Sequence, residues 1–193
     1  MIPWGYFVEP SKRLGVGVRP RCRKEELRVL YVGRLLALKR VDTIIRAVRE
    51  LKKQKFHCTP TPSAYTLTIV GEGPEKARLL RLAHGMDNVS FKPTVPIDQV
   101  REIMREHDVL VFSSNALDGW GAVVSEALEE GLRVVGTQET GASATILPKP
   151  CQFPCGDFRA LAERLAGEIP LCGIGEWTAE GAAKRLYGII CGQ

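Results

Sequence analysis

The sequence lacks several features that define common protein classes. No apolar run approaches the roughly 20 residues needed to span a bilayer, and the first residues lack the charged-then-apolar layout of a signal peptide. No Gly-x-x-x-x-Gly-Lys-Ser/Thr motif is present, which argues against a P-loop. No Gly-x-Gly-x-x-Gly follows the first predicted strand, so an NAD-type dinucleotide fold has little support. We expect a cytoplasmic, soluble protein of another class.

Cysteine is present, but without the spacing of a metal site. The six cysteines include no Cys-x-x-Cys pair, and no histidine lies near Cys151 and Cys155, the closest two. A structural zinc site is therefore not predicted, and free thiols in a reducing compartment are the expected state. We expect neither a metal nor a cofactor.

The charge balance is mildly basic, with 27 Lys and Arg against 22 Asp and Glu. The excess is concentrated at Lys52 to Lys55 and in the N-terminal residues Lys12, Arg13, Arg19, Arg21, Arg23 and Lys24. Neither cluster interleaves aromatic and basic residues as a nucleic-acid platform would, so no nucleic-acid partner is predicted. Peripheral contact with acidic lipid headgroups at the inner face of the membrane stays open as an alternative.

The length of 193 residues fits one large domain. We divide 1–193 into a linker-like segment at 1–27, a core at 28–170 and a helical tail at 171–193. Apolar runs of strand type alternate with segments whose apolar residues recur at helical spacing. The predicted strands are 28–33, 66–70, 89–91, 108–112 and 133–136. The predicted helices are 41–51, 74–84, 96–106, 121–130, 157–168 and 177–190.

This alternation predicts an α/β fold, a Rossmann-like parallel sheet with helices on both faces. Ligands of such sheets bind at the carboxyl edge, the edge at which the strands end. The loops at 33–34, 71–74, 118–121 and 140–143 all follow strands and therefore share that edge. We expect the functional residues among them.

The segment 118–126 contains the most informative pattern. Asp118 and two glycines precede a helix that opens at Gly121 and carries Glu126 about a turn and a half in. A helix that begins at glycine offers unpaired N–H groups and a positive dipole end to an anion, and carboxylates suit sugar hydroxyls. Together they indicate a nucleotide-sugar site. The alternative is an ordinary helix start, with Asp118 as N-cap and Glu126 as a solvated residue.

A pair of basic residues flanks the end of the first strand. Arg34 follows that strand directly, and Lys39 precedes the first helix, so both can point at the carboxyl edge. An arginine fork, a lysine charge and helix N–H groups can hold a diphosphate without a metal. The chain has no Asp-x-Asp pair, which argues against a metal-bridged nucleotide sugar. The alternative is that both residues are ordinary loop cations.

These residues occur in the order and spacing of a known family. Gly33-Arg34, then Lys39 to Ala47, Ile69 to Pro74 and Asp118 to Leu128 together resemble the group 1 glycosyltransferases, which are retaining enzymes of the GT-B fold. The similarity covers about 29–165, and the chain is similar to the C-terminal, donor-binding half of that fold. Its 118–124 and 140–143 motifs resemble a subgroup from surface-polysaccharide and lipopolysaccharide pathways.

The resemblance implies a role for each matching position. Arg34 and Lys39 would bind the donor diphosphate and steady the leaving group, while Asp118 would hold hydroxyls of the donor sugar; these three are the expected catalytic residues. Glu126 would accept hydrogen bonds from the ribose. The other donor-binding residues that the resemblance implies are Gly33, Gly71, Gly73, Lys92, Gly119, Trp120, Gly121 and Ala122.

Some positions depart from the family pattern. Asp118 replaces the usual Glu, Arg40 stands where Gly is common, Pro93 stands where a Gly follows the third strand, and Thr145 lies near a usual Glu. The shorter reach of Asp118 would alter sugar preference. None of these changes removes the diphosphate-binding cations.

A complete enzyme of that fold has two domains, and 193 residues have room for one. The acceptor-binding N-terminal domain is expected to be absent from this chain and supplied by a missing domain or a partner subunit. The lone chain would bind donor with little or no transfer. Two other classes stay open: a nucleotide-sugar epimerase of the same fold, and a non-catalytic nucleotide-binding or regulatory module.

Overall fold

The computed structural model describes residues 26–53, 62 and 64–172. Its strands are β1 Glu26–Val32, β2 Ala64–Val70, β3 Val89–Lys92, β4 Val109–Phe112, β5 Arg133–Thr137 and β6 Gln152–Phe153. Its helices are α1 Val41–Lys53, α2 Lys76–Leu82, α3 Ile97–Glu106, α4 Ala122–Glu129, α5 Gly141–Ile146 and α6 Phe158–Ala166. Short 3-10 turns lie at Ala37–Lys39 and Lys149–Cys151.

Some expectations fall outside the described residues. They are the linker-like segment before β1, the basic N-terminal cluster, the last two residues of the basic run at 52–55, and the helix at 177–190. Within the described ranges, no helix is long and apolar enough to cross a membrane.

The sheet is wholly parallel, with its six strands in the order β3-β2-β1-β4-β5-β6. The chain winds outward from β1 to β3, returns through α3 to β4, and then winds outward in the other direction. Such a reversal places the two sets of helices on opposite faces. Accordingly, α1 packs with α2 and α6, whereas α4 packs with α3 and α5. The predicted α/β class and Rossmann-like parallel sheet are confirmed.

Burial follows the apolar pattern of the sequence. The continuous apolar run of β4 is buried at every residue, as expected for a central strand covered on both faces. The helical spacing in α1 places Val41, Ile44, Ile45 and Val48 on one buried face. These elements supply a core that holds the strand ends in fixed positions.

An ion pair fixes β1 against β4 at the edge opposite their carboxyl ends. Arg28 donates from Nε and Nη2 to the two carboxylate oxygens of Asp108 at 3.0 Å, and its backbone N–H donates to the same group at 2.9 Å. Charge-assisted, two-pronged contacts of this kind are strong and directional. The pair therefore sets the register of the two strands between which the winding direction reverses.

The structure corrects the expectation for 140–143, which is not a loop. Thr140 is the N-cap residue of α5, and the helix begins at Gly141. The strand β6 had no counterpart among the predicted strands, and β1 begins at Glu26 rather than at residue 28. A six-residue helix and a two-residue strand are too short to show an apolar period.

Candidate functional site

The winding direction of the sheet reverses between β1 and β4, and the loops that follow these strands, 33–40 and 113–121, lie side by side there. The region where these two loops meet is called the crevice. The backbone N–H of Asn115 donates to the carbonyl of Leu38 at 2.9 Å. The hydroxyl of Ser113 donates to the carbonyl of Lys39 at 2.7 Å. Ligands of open α/β sheets bind at this reversal point, so the crevice is the candidate site.

An ion pair crosses this crevice. Lys39 Nζ lies 2.5 Å from Asp118 Oδ2, with the two side chains 20% and 15% exposed. The same ammonium lies 5.8 Å from the centre of the Phe112 ring, within the range of a cation–π contact. The structure thus places both residues at the predicted edge but pairs them with each other.

Arg34 is the exposed cation of the crevice. Among the described residues, no carboxylate forms an ion pair with its guanidinium, and the nearby Asp118 is paired with Lys39. Its backbone is tied to β1, because the buried Tyr31 hydroxyl donates to the Arg34 carbonyl at 3.0 Å. Burial, and secondarily the nearby Asp118 carboxylate, raise the pKa of Tyr31, which keeps the hydroxyl protonated as a donor.

Sequence reasoning missed Tyr31. A tyrosine inside an apolar strand is the signal that was available, because a buried tyrosine hydroxyl usually has a hydrogen-bond partner. Nothing in the sequence alone shows that the partner is the Arg34 carbonyl.

Glycines of the first two loops allow close backbone packing. A Cβ on Gly71 would lie 1.9 Å from the carbonyl oxygen of Gly33, and one on Gly73 would lie 2.4 Å from that of Leu35. The Leu35 N–H donates to the Glu72 carbonyl at 2.8 Å. These glycines therefore seat the Arg34 loop on the loop that follows β2. A role beside a nucleotide stays a prediction.

Gly121 shapes the start of α4. It is the N-cap residue, with φ of 88°, and no side chain caps the helix. A Cβ at this position would lie 2.6 Å from the Phe112 ring. Asp118 as N-cap is therefore wrong. The first N–H groups of α4, beginning at Ala122, point toward the carboxyl edge with the positive end of the helix dipole.

Trp120 joins the α4 loop to α5. Its carbonyl accepts from the Ala142 N–H at 2.8 Å. Its indole ring lies against Gly141, where a Cβ would be 3.0 Å from the ring. Gly119, just before it, has open space around its Cα. The loop is thus packed against α5 at Trp120, whereas Gly119 has no neighbouring atoms where a side chain would lie.

Glu126 is half-buried on α4. Burial raises the pKa of its carboxyl group, and the Arg101 charge opposes that rise. Arg101 itself forms ion pairs with Glu129 and Glu130. Glu126 is thus on the side of α4 that neighbours α3. The exposed Lys92 ends β3, the strand that precedes α3. A partly desolvated carboxylate here can accept hydrogen bonds from a hydroxyl.

Arg40 adopts a left-handed backbone conformation with φ of 48°, the only such non-glycine residue in the described ranges. Glycine adopts this region without steric cost, which accounts for the glycine that the resembled family often has there. The Arg40 side chain is paired with Asp42 at 3.5 Å.

The histidines of the described ranges lie away from the crevice. His107 lies at the amino end of β4, with its ring nitrogens 2.7 Å from the Ile103 carbonyl and 2.9 Å from the Thr68 hydroxyl. His84 is exposed beyond the end of α2. Within the same ranges, no group of three or more His, Cys, Asp or Glu side chains is placed to hold a metal ion.

Comparison with known proteins places this geometry in a family. The family model described as glycosyl transferases group 1 matches residues 19–166. The uncharacterized glycosyltransferase MJ1069 of Methanocaldococcus jannaschii is 26% identical over 126 residues, which are 64% of this chain and 31% of that protein.

Solved structures share the fold. The lipopolysaccharide outer core galactosyltransferase WaaB superposes with a TM-score of 0.76 at 17% identity, over 96% of this chain and 54% of that one. Anabaena Alr3699/HepE in complex with UDP and glucose superposes with a TM-score of 0.60 at 20% identity, over 74% and 38%.

The chain thus spans 31% of its curated relative and 54% of the galactosyltransferase structure. The structural neighbours are GT-B enzymes, and the sheet order and helix layers above match a Rossmann-like domain of that fold. With the family model matching most of its length, the chain belongs to the group 1 glycosyltransferases.

Proposed function

We propose that the chain binds a nucleoside-diphosphate sugar in the crevice and is the donor-binding domain of a retaining glycosyltransferase. The observation that carries the proposal is the Lys39–Asp118 ion pair beside the exposed Arg34 and the uncapped start of α4. Two cations and helix N–H groups suit a diphosphate, and the adjacent carboxylate suits sugar hydroxyls.

Charge development explains what these groups would do. Breaking the bond between sugar and phosphate leaves negative charge on the diphosphate and positive character on the sugar. Arg34, Lys39 and the α4 terminus stabilise the first, and each charge-assisted contact contributes about 1.5–3 kcal/mol. Lys39 would exchange the Asp118 carboxylate for phosphate, which frees Asp118 for the sugar. This arrangement works without a metal ion, so adding EDTA should leave donor affinity unchanged.

The remaining positions complete the donor site. Glu126 accepts hydrogen bonds from the ribose, and Lys92 with the loop that follows it borders the base. The N–H groups of Trp120, Gly121 and Ala122 face the diphosphate and the sugar. Same-face attack by the acceptor, with the leaving phosphate taking its proton, would retain the anomeric configuration.

The acceptor is a glycan or glycolipid of surface-polysaccharide synthesis. Support comes from the likeness to a lipopolysaccharide galactosyltransferase and from the motifs at 118–124 and 140–143. Acceptor contacts would come from a separate domain or subunit, since this chain matches 54% of that enzyme. An enzyme that transfers sugar to lipid-linked acceptors would act at the cytoplasmic face of the membrane.

Thermal unfolding with a panel of nucleotides tests donor binding. The chain is heated with UDP, GDP and ADP, with the matching monophosphates, and with their glucose, galactose and mannose derivatives. A ligand at 100 times its Kd adds about 2.7 kcal/mol, which raises Tm by about 5–10 °C at this size. One base series should stabilise the chain, and its diphosphate more than its monophosphate. Equal shifts for monophosphate and diphosphate would contradict a diphosphate site.

Product analysis separates the candidate reaction classes. The chain is combined with an acceptor-binding half and a glycolipid, and the product's anomeric configuration is read by NMR. Transfer with retained configuration supports the proposal, and inverted product contradicts it. Epimerised nucleotide sugar from the chain alone would identify an epimerase. Nucleotide binding with no reaction in the combined system would indicate a regulatory module.

A further inference from the structure

Two thiols touch each other beside the start of β6, outside the crevice loops. Cys151 Sγ and Cys172 Sγ lie 3.8 Å apart, although the residues are 21 positions apart in sequence. Cys151 is buried just before β6, and Cys172 is partly exposed after α6. Both sulfurs lie near the same Pro170 carbonyl, at 3.9 and 3.7 Å. The chain that leaves α6 therefore returns to the start of β6.

We propose that Cys151 and Cys172 are a modification site, where hydrogen peroxide converts the thiol pair into a reversible disulfide. A disulfide needs the sulfurs at about 2.05 Å. From their present separation of 3.8 Å, the two sulfurs must therefore approach each other by roughly 1.75 Å. The pair has no part in the donor site, so this inference stands independently of the proposed function.

The unequal exposure of the two thiols sets the order of the reaction. Contact with the Cys151 thiol lowers the pKa of Cys172, and the Cys172 side chain is the one that solvent reaches. Cys172 is thus the first to react, since thiolates are the nucleophiles.

The reaction balances with peroxide as the only added reagent. The Cys172 thiolate attacks one peroxide oxygen, the O–O bond breaks, and sulfenic acid and hydroxide form. The Cys151 sulfur then attacks the sulfenic sulfur, so that the S–S bond forms and the S–O bond breaks. Water leaves with the Cys151 proton. Two thiols lose two electrons in total, and one peroxide becomes two waters.

The disulfide would tie together parts of the fold that are otherwise joined by packing. The closed loop contains β6 and α6, and α6 packs against α1. Gln152, beside Cys151, donates its side-chain amide to the carbonyl of Ser143 in α5 and to that of Leu147, the residue that follows α5. Oxidation therefore fixes the chain after α6 to the α5 side of the domain. Cross-linking a loop of this length stabilises mainly by constraining the unfolded chain.

Peroxide titration of the purified chain tests the proposal, with intact mass, peptide mapping and Tm as readouts. We expect a loss of two mass units, one peptide that joins Cys151 to Cys172, a Tm increase of roughly 5–10 °C, and full reversal by dithiothreitol. Cys172→Ser should abolish all of these changes. Cys151→Ser should do the same. Because Cys151 is buried, its substitution also disturbs packing, so the variant at the partly exposed Cys172 is the decisive one.

Cys155→Ser is the matched control, since Cys155 lies in the same segment but is not in contact with the pair. It should leave the disulfide and its Tm shift intact. A peptide that joins Cys172 to any other cysteine would overturn the proposal. So would a chain in which both thiols still react with iodoacetamide after peroxide, or one that gains oxygen atoms without forming the cross-link.

Discussion

The Lys39 ammonium lies 2.5 Å from the Asp118 carboxylate, across the point where the sheet reverses its winding direction. The sequence assigns these residues to different parts of a ligand, one to a diphosphate and the other to a sugar. Because they contact each other, a ligand that takes Lys39 releases Asp118. In the proposed donor site, binding at the diphosphate and sugar positions would therefore be coupled through this one ion pair.

Asp118→Asn tests this coupling. Without the carboxylate, Lys39 is available to phosphate. Affinity for the nucleoside diphosphate should therefore rise by about two- to fivefold, which corresponds to the free energy of a partly exposed ion pair. The gain in affinity that the sugar adds over the nucleoside diphosphate should fall, because the neutral amide of Asn accepts weaker hydrogen bonds from sugar hydroxyls than a carboxylate does. Calorimetry with both ligands measures each effect.

Asp118→Glu is the matched control for charge. It keeps the ion pair and restores the residue usual in the resembled family, so it should leave diphosphate affinity unchanged while shifting the preference among donor sugars. If Asp118→Asn instead weakens both ligands equally, the carboxylate supports Lys39 and does not compete with phosphate.

Tyr31→Phe tests whether the strand below the crevice positions Arg34. Loss of the hydroxyl that donates to the Arg34 carbonyl should lower the free energy of unfolding by about 0.5–1.5 kcal/mol. It should also weaken diphosphate binding several-fold, because the Arg34 backbone loses its support. Urea denaturation and calorimetry separate the two effects.

Asp108→Asn serves as the comparison for Tyr31→Phe. It weakens the pair with Arg28 at the opposite edge of the sheet, so it should destabilise the chain without changing nucleotide affinity. A Tyr31→Phe variant that behaves in the same way would show that the tyrosine has a structural role only.

Gly121→Ala and Gly119→Ala compare two glycines of one loop. A methyl group on Gly121 would meet the Phe112 ring, and its φ of 88° disfavours alanine, so the variant should lose about 2–4 kcal/mol of stability. Gly119 has open space and no positive φ, so its alanine variant should stay within about 0.5 kcal/mol of the parent. Urea denaturation gives both values, and similar losses would show that Gly121 is not packed tightly against the Phe112 ring.

Stability should fall in mild acid because of His107. Burial lowers the pKa of its imidazole below the ordinary 6.5, so the unfolded chain binds this proton more readily than the folded chain. The contribution is complete above pH 6.5 and is lost as the pH falls through the lowered folded value. Denaturation from pH 8 to 5 should show the loss. His107→Gln should reduce it, whereas the exposed His84→Gln should not; an unchanged profile in His107→Gln would rule out this source.

The sequence predicts the parts of the fold that have a strong period. The apolar spacing of α1 and the continuous apolar run of β4 indicate their type and nearly their bounds, because each element buries those side chains in one layer. The helix α5 has no such period, so its first residues read as a loop. The two-residue β6 is defined by pairing with β5 rather than by its own composition.

The candidate site divides in the same way. The placement of Arg34, Lys39 and Asp118 at the carboxyl edge could be predicted because each lies in a loop that follows a strand. Their ligand roles, and that of Glu126 on α4, stay predictions. The contact between Lys39 and Asp118 joins residues 79 positions apart, and it depends on β1 and β4 being neighbours in the sheet. The support from Tyr31 likewise requires the backbone path of the Arg34 loop, which residue types do not specify.

In the proposed function, the crevice between 33–40 and 113–121 binds a nucleoside diphosphate through Arg34 and Lys39. Calorimetric titration with UDP, GDP and ADP tests it directly on the parent chain, on an Arg34→Ala/Lys39→Ala variant, and on Arg81→Ala, which removes an exposed arginine from the far end of α2. One nucleotide should bind the parent and Arg81→Ala equally and should lose at least about 100-fold in affinity with the double variant. Binding that survives the double substitution, or a parent chain that binds none of the three, would contradict the claim.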